Sequence, residues 1–278
     1  MLSIILVNVL IILVVAIPML RVYWLMIKLP QNRPTNYEKV EGKRVIVFAG
    51  DSITHGQVGE NYVAMMSKRL DGQEYNIVNA GVNTNLAWNL LQRLDEIIEC
   101  EPEFITILIG TNDANASQSE EDAKYYVKSM KLPRMPDKDW YQESLQKIVT
   151  TLQERTHAKI GLISIPPIGE DPNHSAFRIS SDYCIPIKEV ASSSGVAYLP
   201  FHEKMVEYLV NNPGNPAYQM KRLKIEMFLA CFKRYILRKD WDSIGESRGF
   251  QAHIDYLHLN TRAASMLTDM IQEFIKES

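Results

Sequence analysis

The chain has 278 residues, which suits one large domain or two small ones with a continuous core, so a disulfide-held miniprotein is excluded. Hydrophobic residues make up 46% and charged residues 23%, with only 13 Gly and 13 Pro, which excludes a collagen-like or low-complexity chain. With 30 basic and 33 acidic residues the net charge is -3, which argues against a mainly electrostatic nucleic-acid binder.

The N-terminal segment is strongly apolar. No charged residue occurs from residue 2 to residue 20, and apolar residues continue after Arg21. At the helical rise this run spans about 28 Å, close to the thickness of a bilayer core, and Tyr23 and Trp24 suit its interface. A cleaved signal peptide would have basic residues before the run and a small-x-small exit, and a core helix would be amphipathic. We therefore predict a transmembrane anchor over residues 1–28.

The charges that flank this segment predict its orientation. By the positive-inside rule, basic residues after the span place the following domain in the cytoplasm. Three cysteines without a CxxC pair agree with a reducing compartment and predict neither disulfides nor a zinc site. Two Asn-x-Ser triplets, at Asn115 and Asn173, are the opposing observation, because they would accept glycans in a secretory lumen. The basic residues are Arg21, Lys28, Arg33, Lys39, Lys43 and Arg44, and the cysteines are Cys100, Cys184 and Cys231.

After a polar linker over residues 29–43, short β-rich apolar runs alternate with helical patterns over residues 44–278. This alternation predicts an α/β domain with a five-stranded, mostly parallel sheet and helices on both faces. The predicted strands are 44–49, 75–79, 104–109, 159–165 and 196–199, and the predicted helices are 62–70, 86–100, 140–155, 179–193 and a last helix after Asn260.

Two connections are longer than such a unit needs, and we interpret them as insertions that form lids or binding loops, at about 114–139 and 201–254. Within the second, residues 220–239 carry seven cations and a single anion, Glu226, interleaved with apolar side chains. This pattern is typical of a helix that lies on an anionic membrane, and equally of a core-packed helix with solvated lysines.

Residues that could take part in catalysis follow the predicted strands. Ser52, Gly81 and Asn112 follow the first, second and third strands, while Asp255 and His258 precede the last helix. Ligands of open α/β sheets bind where the carboxyl ends of the strands meet. Each of these residues alone is compatible with ordinary turn chemistry. Their occurrence together at separate strand ends points to catalysis.

A serine hydroxyl becomes a strong nucleophile only when a base removes its proton, and the base needs an acceptor that fixes its tautomer. Asp255 and His258, three residues apart, supply that pair for Ser52. Donors for a tetrahedral oxyanion are available from the N–H groups of Ser52 and Gly81 and from the Asn112 side-chain amide.

At this point the sequence resembles the SGNH (GDSL-like) hydrolase family, from about Lys43 to the C-terminus. The resemblance implies a flavodoxin-like three-layer αβα domain and serine esterase or lipase activity that requires no metal or other cofactor. Where the family has a leucine after its nucleophile this chain has Ile53, a volume-conserving change. Carried over by position, the resemblance implies a nucleophile at Ser52, oxyanion donors at Ser52, Gly81 and Asn112, and the catalytic pair Asp255 and His258.

Other motifs are missing from the sequence. It contains no GxSxG elbow, phosphate-binding loop or GxGxxG fingerprint, and the remaining histidines have no metal-ligand spacing. His55, just past Ser52, is either a loop residue or part of the pocket wall.

The sequence therefore predicts a membrane-anchored serine esterase acting on small-molecule or lipid-like esters such as lysophospholipids. Three alternatives remain open: an esterase for O-acetylated sugars or cell-wall glycans, acyl transfer to an acceptor other than water, and a non-catalytic binding module with the same fold.

Overall fold

A computed structural model describes residues 12–70, 75–217 and 222–277 of the chain. Its centre is, as predicted, a sheet of five parallel strands, and their order is β2-β1-β3-β4-β5. The strands are β1 (Arg44–Gly50), β2 (Tyr75–Gly81), β3 (Phe104–Leu108), β4 (Lys159–Ile163) and β5 (Ala197–Leu199).

Helices cover both faces of this sheet, which gives the three-layer α/β architecture. The helices are α1 (Ile17–Ile27), α2 (Ser52–His55), α3 (Tyr62–Arg69), α4 (Ala87–Leu91), α5 (Leu94–Ile98), α6 (Thr111–Ala116), α7 (Glu120–Met130), α8 (Lys138–Arg155), α9 (Ser175–Ser194), α10 (Phe201–Asn211), α11 (Leu223–Tyr235), α12 (Trp241–Glu246) and α13 (Thr261–Glu277), with a π-helical turn at Ile12–Ala16 and a 3-10 turn at Pro34–Asn36. The helix α8 packs against α4, α5 and α9, whereas α13 packs against α3 and α10.

The central strands are apolar along their whole length because both of their faces are covered. In β1 every residue after Arg44 is buried, and in β3 all five residues are buried. The register pairs Gly50 with both Gly81 and Leu108, so the first three strands end at the same level. This alignment brings the residues that follow β1, β2 and β3 to one edge of the sheet.

The predicted helix over residues 86–100 is two short helices, α4 and α5. The interruption falls at Arg93, a largely buried residue whose guanidinium donates to the backbone carbonyls of Gly50 (3.1 Å) and Ala80 (2.8 Å) and to the side chain of Asn85 (2.9 Å). These bonds tie the chain to the ends of β1 and β2, and the helix stops where they form.

The segment predicted as a linker, 29–43, lies along the free edge of β2. The Asn79 N–H donates to the Asn32 carbonyl (3.0 Å), and the Asn32 side-chain amide donates to the Ile77 carbonyl (2.9 Å). The edge of the sheet is therefore partly paired by this segment.

The predicted transmembrane segment is described only from residue 12 onward, and residues 1–11 lie outside the described residues. Within the described ranges, no helix has both the length and the apolar character needed to cross a bilayer. The helix α1 has 11 residues and buries Val22 and Met26 against the rest of the chain. The anchor over residues 1–28 thus gains no support from the described residues and stays a prediction.

Candidate active site

The structure brings together the hydroxyl, imidazole and carboxylate that the sequence singled out. The His258 Nε2 lies 3.0 Å from the Ser52 Oγ, and the His258 Nδ1 lies 2.8 Å from an Asp255 carboxylate oxygen. The second Asp255 oxygen accepts the backbone N–H groups of Leu257 (2.7 Å) and His258 (2.8 Å). Asp255 and His258 are buried, so their mutual orientation is fixed by these contacts.

The charges of this pair shift both of its pKa values. Burial alone would raise the pKa of Asp255, but the adjacent His258 and the two N–H donors outweigh it and lower the pKa. Burial would lower the pKa of His258, but the Asp255 carboxylate outweighs it and raises the pKa above its ordinary 6.5, with a smaller contribution from Asp51. The imidazole is thus a stronger base than a free histidine.

Ser52 stands on the turn between β1 and α2. Asp51 caps that helix, because its side chain accepts the Ile53 N–H (3.0 Å), which leaves Ser52 as the first helical residue. The N–H of a first helical residue has no intrahelical partner and can face an anion. Burial raises the pKa of Asp51 to about 7, partly opposed by the Ile53 N–H and by His258.

Gly81 has a packing role, and its predicted role as an oxyanion donor stays a prediction. A Cβ at this position would lie 2.1 Å from the His55 backbone N and 2.5 Å from the Thr54 carbonyl carbon, so glycine is required for close packing against α2. The Gly81 N–H donates to the Asn79 side-chain oxygen at 2.9 Å. The Gly81 N–H can therefore donate to an oxyanion only if it shares its hydrogen with the Asn79 side-chain oxygen.

Asn112 lies in the first turn of α6 and is buried. Its amide nitrogen donates one hydrogen to the Asn85 carbonyl (3.0 Å), which leaves the second hydrogen for a ligand. Its side-chain oxygen accepts the Tyr126 hydroxyl (2.9 Å), and this bond fixes which end of the amide is the donor. Tyr126 lies on α7, inside the first predicted insertion, and no pattern in the sequence marks it.

The segment that carries Asp255 and His258, residues 251–260, has no regular secondary structure. The start of this segment is held by Glu170, which is far away in the sequence. Its carboxylate accepts the backbone N–H groups of Gln251 (2.8 Å), Ala252 (2.8 Å) and His253 (2.9 Å). The His253 ring, 3.0 Å from the same carboxylate, completes this arrangement. Glu170 was not predicted as a functional residue. The one available signal was an acidic residue a few positions beyond the fourth strand.

The remaining predicted features have structural explanations. His55 is buried, and burial lowers its pKa to about 4, so it is neutral at physiological pH. The three cysteines are buried and unpaired. Throughout residues 12–70, 75–217 and 222–277, no group of three His, Cys, Asp or Glu side chains is placed to hold a metal ion.

Both the sequence and the fold of the chain are similar to those of known proteins. The sequence profile of the GDSL-like Lipase/Acylhydrolase family matches residues 48–220. A search of curated proteins finds no match. The acetyl xylan esterase AlAXEase is a structural neighbour with a TM-score of 0.59 and 18% sequence identity, over 83% of this chain and 99% of that chain. Axe2, an acetylxylan esterase from Geobacillus stearothermophilus, has a TM-score of 0.56 and 16% identity, over 84% of this chain and 95% of its own.

At these identities the structural likeness establishes a shared fold. The profile match covers more than half of the chain and includes Ser52, Gly81 and Asn112. The chain therefore belongs to the GDSL-like lipase/acylhydrolase family and is a serine hydrolase that acts on ester bonds.

Proposed function

We propose that the chain hydrolyses carboxylic esters through an acyl-enzyme on Ser52. The observation that carries this proposal is the unbroken contact from Asp255 through His258 to the Ser52 hydroxyl. The Ser52 oxygen attacks the ester carbonyl carbon while its proton passes to the His258 Nε2. The negative charge that develops on the carbonyl oxygen is met by the Ser52 N–H and the free hydrogen of the Asn112 amide, with Gly81 as the third predicted donor.

Collapse of the tetrahedral intermediate breaks the bond to the leaving alcohol, which takes the proton from His258. A water molecule then attacks the acyl carbon, and the neutral His258 accepts its proton. A second collapse releases the carboxylic acid and returns the proton to Ser52. No step requires a metal or another cofactor.

The direct test uses the purified full chain with a short-chain chromogenic ester. Ser52→Ala and His258→Ala are each expected to reduce kcat by about 10⁴-fold or more. Ser67→Ala, which removes a hydroxyl on α3 outside the site, is the matched control and is expected to keep the wild-type rate. If either site variant retains full activity, the proposed mechanism is wrong.

A fluorophosphonate probe tests the alternative of a binding module without turnover. The activated Ser52 is expected to react in the folded protein and to lose reactivity on denaturation. A folded chain that shows no labelling of Ser52 would support the binding module.

For the substrate, we propose lipid-like esters such as lysophospholipids. The apolar N-terminal segment and the basic segment 220–239 support this choice, because both suit a protein held close to acyl chains. The alternative is an O-acetyl ester of a carbohydrate, and the acetyl xylan esterases among the structural neighbours favour it. Parallel assays with lysophosphatidylcholine and acetylated xylo-oligosaccharide separate the two. A kcat/KM at least tenfold higher for the acetylated sugar would reverse the preference.

We further propose that residues 1–28 anchor the chain in a membrane and that α11 lies against an anionic lipid surface. Most of α1 is exposed and apolar, as Leu20 (67%) and Trp24 (54%) illustrate. On α11, Ile225 and Leu229 are exposed beside Lys224, whereas Ala230 and Cys231 are buried. The helix thus combines a packed face with an apolar and basic outer face.

Co-sedimentation with vesicles tests the α11 surface. Ile225→Glu is expected to weaken binding to vesicles that contain phosphatidylserine, while Val210→Glu, an equally polar change at an exposed residue of α10, is expected to leave it unchanged. Equal binding by both variants would remove α11 from the proposal.

Protease access to sealed vesicles tests the proposed cytoplasmic orientation of the domain. A domain that is digested from the outside of right-side-out vesicles would contradict it.

A further inference from the structure

A small apolar cluster, separate from the main core, lies between the N-terminal helix and the catalytic segments. It connects α1 with two loops of the site: Val58 follows the nucleophile helix α2, and Ile254 directly precedes Asp255. Its buried members are Val22, Met26, Val58, Ala230, Cys231, Trp241, Ile244 and Ile254. The N-terminal helix is therefore packed together with the loop that follows the nucleophile helix and with the segment that carries Asp255 and His258.

Hydrogen bonds reinforce this packing at two points. The Asn83 side-chain amide, two residues after Gly81, donates to the Met26 carbonyl at 3.1 Å. The Tyr235 hydroxyl of α11 donates to the Gln57 carbonyl at 2.6 Å. The carbonyl of Met26 lies in the last turn of α1, where such groups lack partners within the helix. The loop that follows β2 is thus hydrogen-bonded to α1 as well.

Only one stripe of α1 takes part in these contacts. Val22 and Met26, four residues apart on the same face, are 0% and 8% exposed, whereas Met19 and Tyr23 are 46% and 59% exposed. A flexible tether would not need a buried stripe or a bonded carbonyl. The end of α1 is instead docked on the domain at the place where three catalytic segments meet.

We infer that α1 is a positioning element of the active site, in addition to any role as an anchor. In this inference, which rests on the proposed function, Val22 and Met26 hold the loop that follows the nucleophile helix α2 and the segment that carries Asp255, and Asn83 holds the loop after Gly81. The nucleophile, the base and the oxyanion donors must agree in position to within a fraction of an ångström. Loss of the α1 contacts would therefore lower turnover without touching any catalytic group.

Two variants of the full chain test this inference. Met26→Ala opens the cluster, and Asn83→Ala removes only the bond to the Met26 carbonyl. For each, kcat for a short soluble ester is expected to fall about tenfold while KM changes by less than about twofold, since the reacting groups are misaligned and the substrate contacts remain. Met26→Leu, which conserves volume, is expected to restore the rate. Met19→Ala, an exposed methionine of the same helix, is the matched control and is expected to behave as wild type.

The thermal midpoint of each variant shows whether it is folded at the assay temperature. Wild-type kcat in folded Met26→Ala and Asn83→Ala would overturn the inference, as would equal losses in Met19→Ala. These results are distinct from failure of the proposed function, in which the wild-type chain has no esterase activity or Ser52→Ala retains it.

Discussion

The two halves of the site are built in different ways. Ser52 and Asn112 lie in the first turns of α2 and α6, two and four residues after the hydrogen-bonded ends of β1 and β3. Asp255 and His258 lie on the irregular segment 251–260, which is held by single side chains and loop contacts, above all Glu170. The first half shares its support with the whole core, whereas the second depends on a few specific bonds. We therefore expect catalysis to be more sensitive to remote changes on the Asp255 side.

The largest expected effect on kcat comes from a change in the Asp255–His258 pair. Asp255→Asn retains the size of the side chain but removes the charge that raises the pKa of His258 and fixes its tautomer. We expect kcat to fall by about 10⁴-fold. Because catalysis needs neutral His258, wild-type activity is lost as pH falls through a His258 pKa that lies above 6.5. The acid limb of the pH–rate profile should move to lower pH in the variant. An unchanged profile would show that Asp255 does not act on His258.

The next effect concerns the support of the irregular segment. Glu170→Gln places an amide group where a carboxylate oxygen now accepts a backbone N–H. The first residues of the segment 251–260 must therefore shift. We expect kcat to fall about a hundredfold with little change in KM. Glu203→Gln is the control, because Glu203 accepts bonds from Ser164 and Tyr198 at the same end of the sheet but does not contact the segment. Equal losses in both variants would contradict the asymmetry between the halves.

A smaller effect is expected on the sheet side. Tyr126→Phe removes the hydroxyl that orients the Asn112 amide, while Asn85 and α6 still hold that residue. We expect kcat to fall roughly tenfold, less than the full loss of an oxyanion donor. Tyr141→Phe also removes a buried hydroxyl, but one that donates to the Ile109 carbonyl, and it should leave kcat within about twofold of wild type. A hundredfold loss of kcat in Tyr126→Phe would show that the Ser52 and Asn112 side of the site tolerates remote changes no better than the Asp255 side.

The smallest expected effect acts through charge alone. Asp51→Asn removes a carboxyl that contributes to the raised pKa of His258. The acid limb should shift slightly to lower pH, with activity near neutrality little changed. Asp113→Asn removes a second buried carboxyl whose pKa burial also raises to about 7, but which does not act on His258, so its profile should match the wild type. A shift of the acid limb to higher pH in Asp51→Asn would contradict this reasoning.

The sequence predicted the parts whose signals are local. Apolar runs mark β1 to β5, and the residues after three of them identify Ser52, Gly81 and Asn112. Asp255 and His258 are recognisable because they lie three residues apart before the last helix. The break at Arg93 was not predictable, because it depends on bonds to two strand ends that are distant in the sequence.

Tyr126 and Glu170 escaped the sequence analysis for a related reason. Tyr126 lies in the first insertion and Glu170 in the loop after β4, and the importance of each comes from a contact made only after folding. The docked face of α1 was equally hidden, because Val22 and Met26 stand in a run so uniformly apolar that no face is distinguishable. Contacts between residues that are far apart in the chain leave no periodic pattern in a single sequence.

The pairing of Asn32 with the outer strand β2 has a consequence for the behaviour of the chain in solution. Unpaired strand edges invite a second copy of a protein to add its own strand, and the opposite edge, β5, is only three residues long. Cleavage within residues 29–43 would release the segment that covers β2 and leave a seven-residue template open to neighbours. Nicked material should accordingly self-associate more readily than the intact chain.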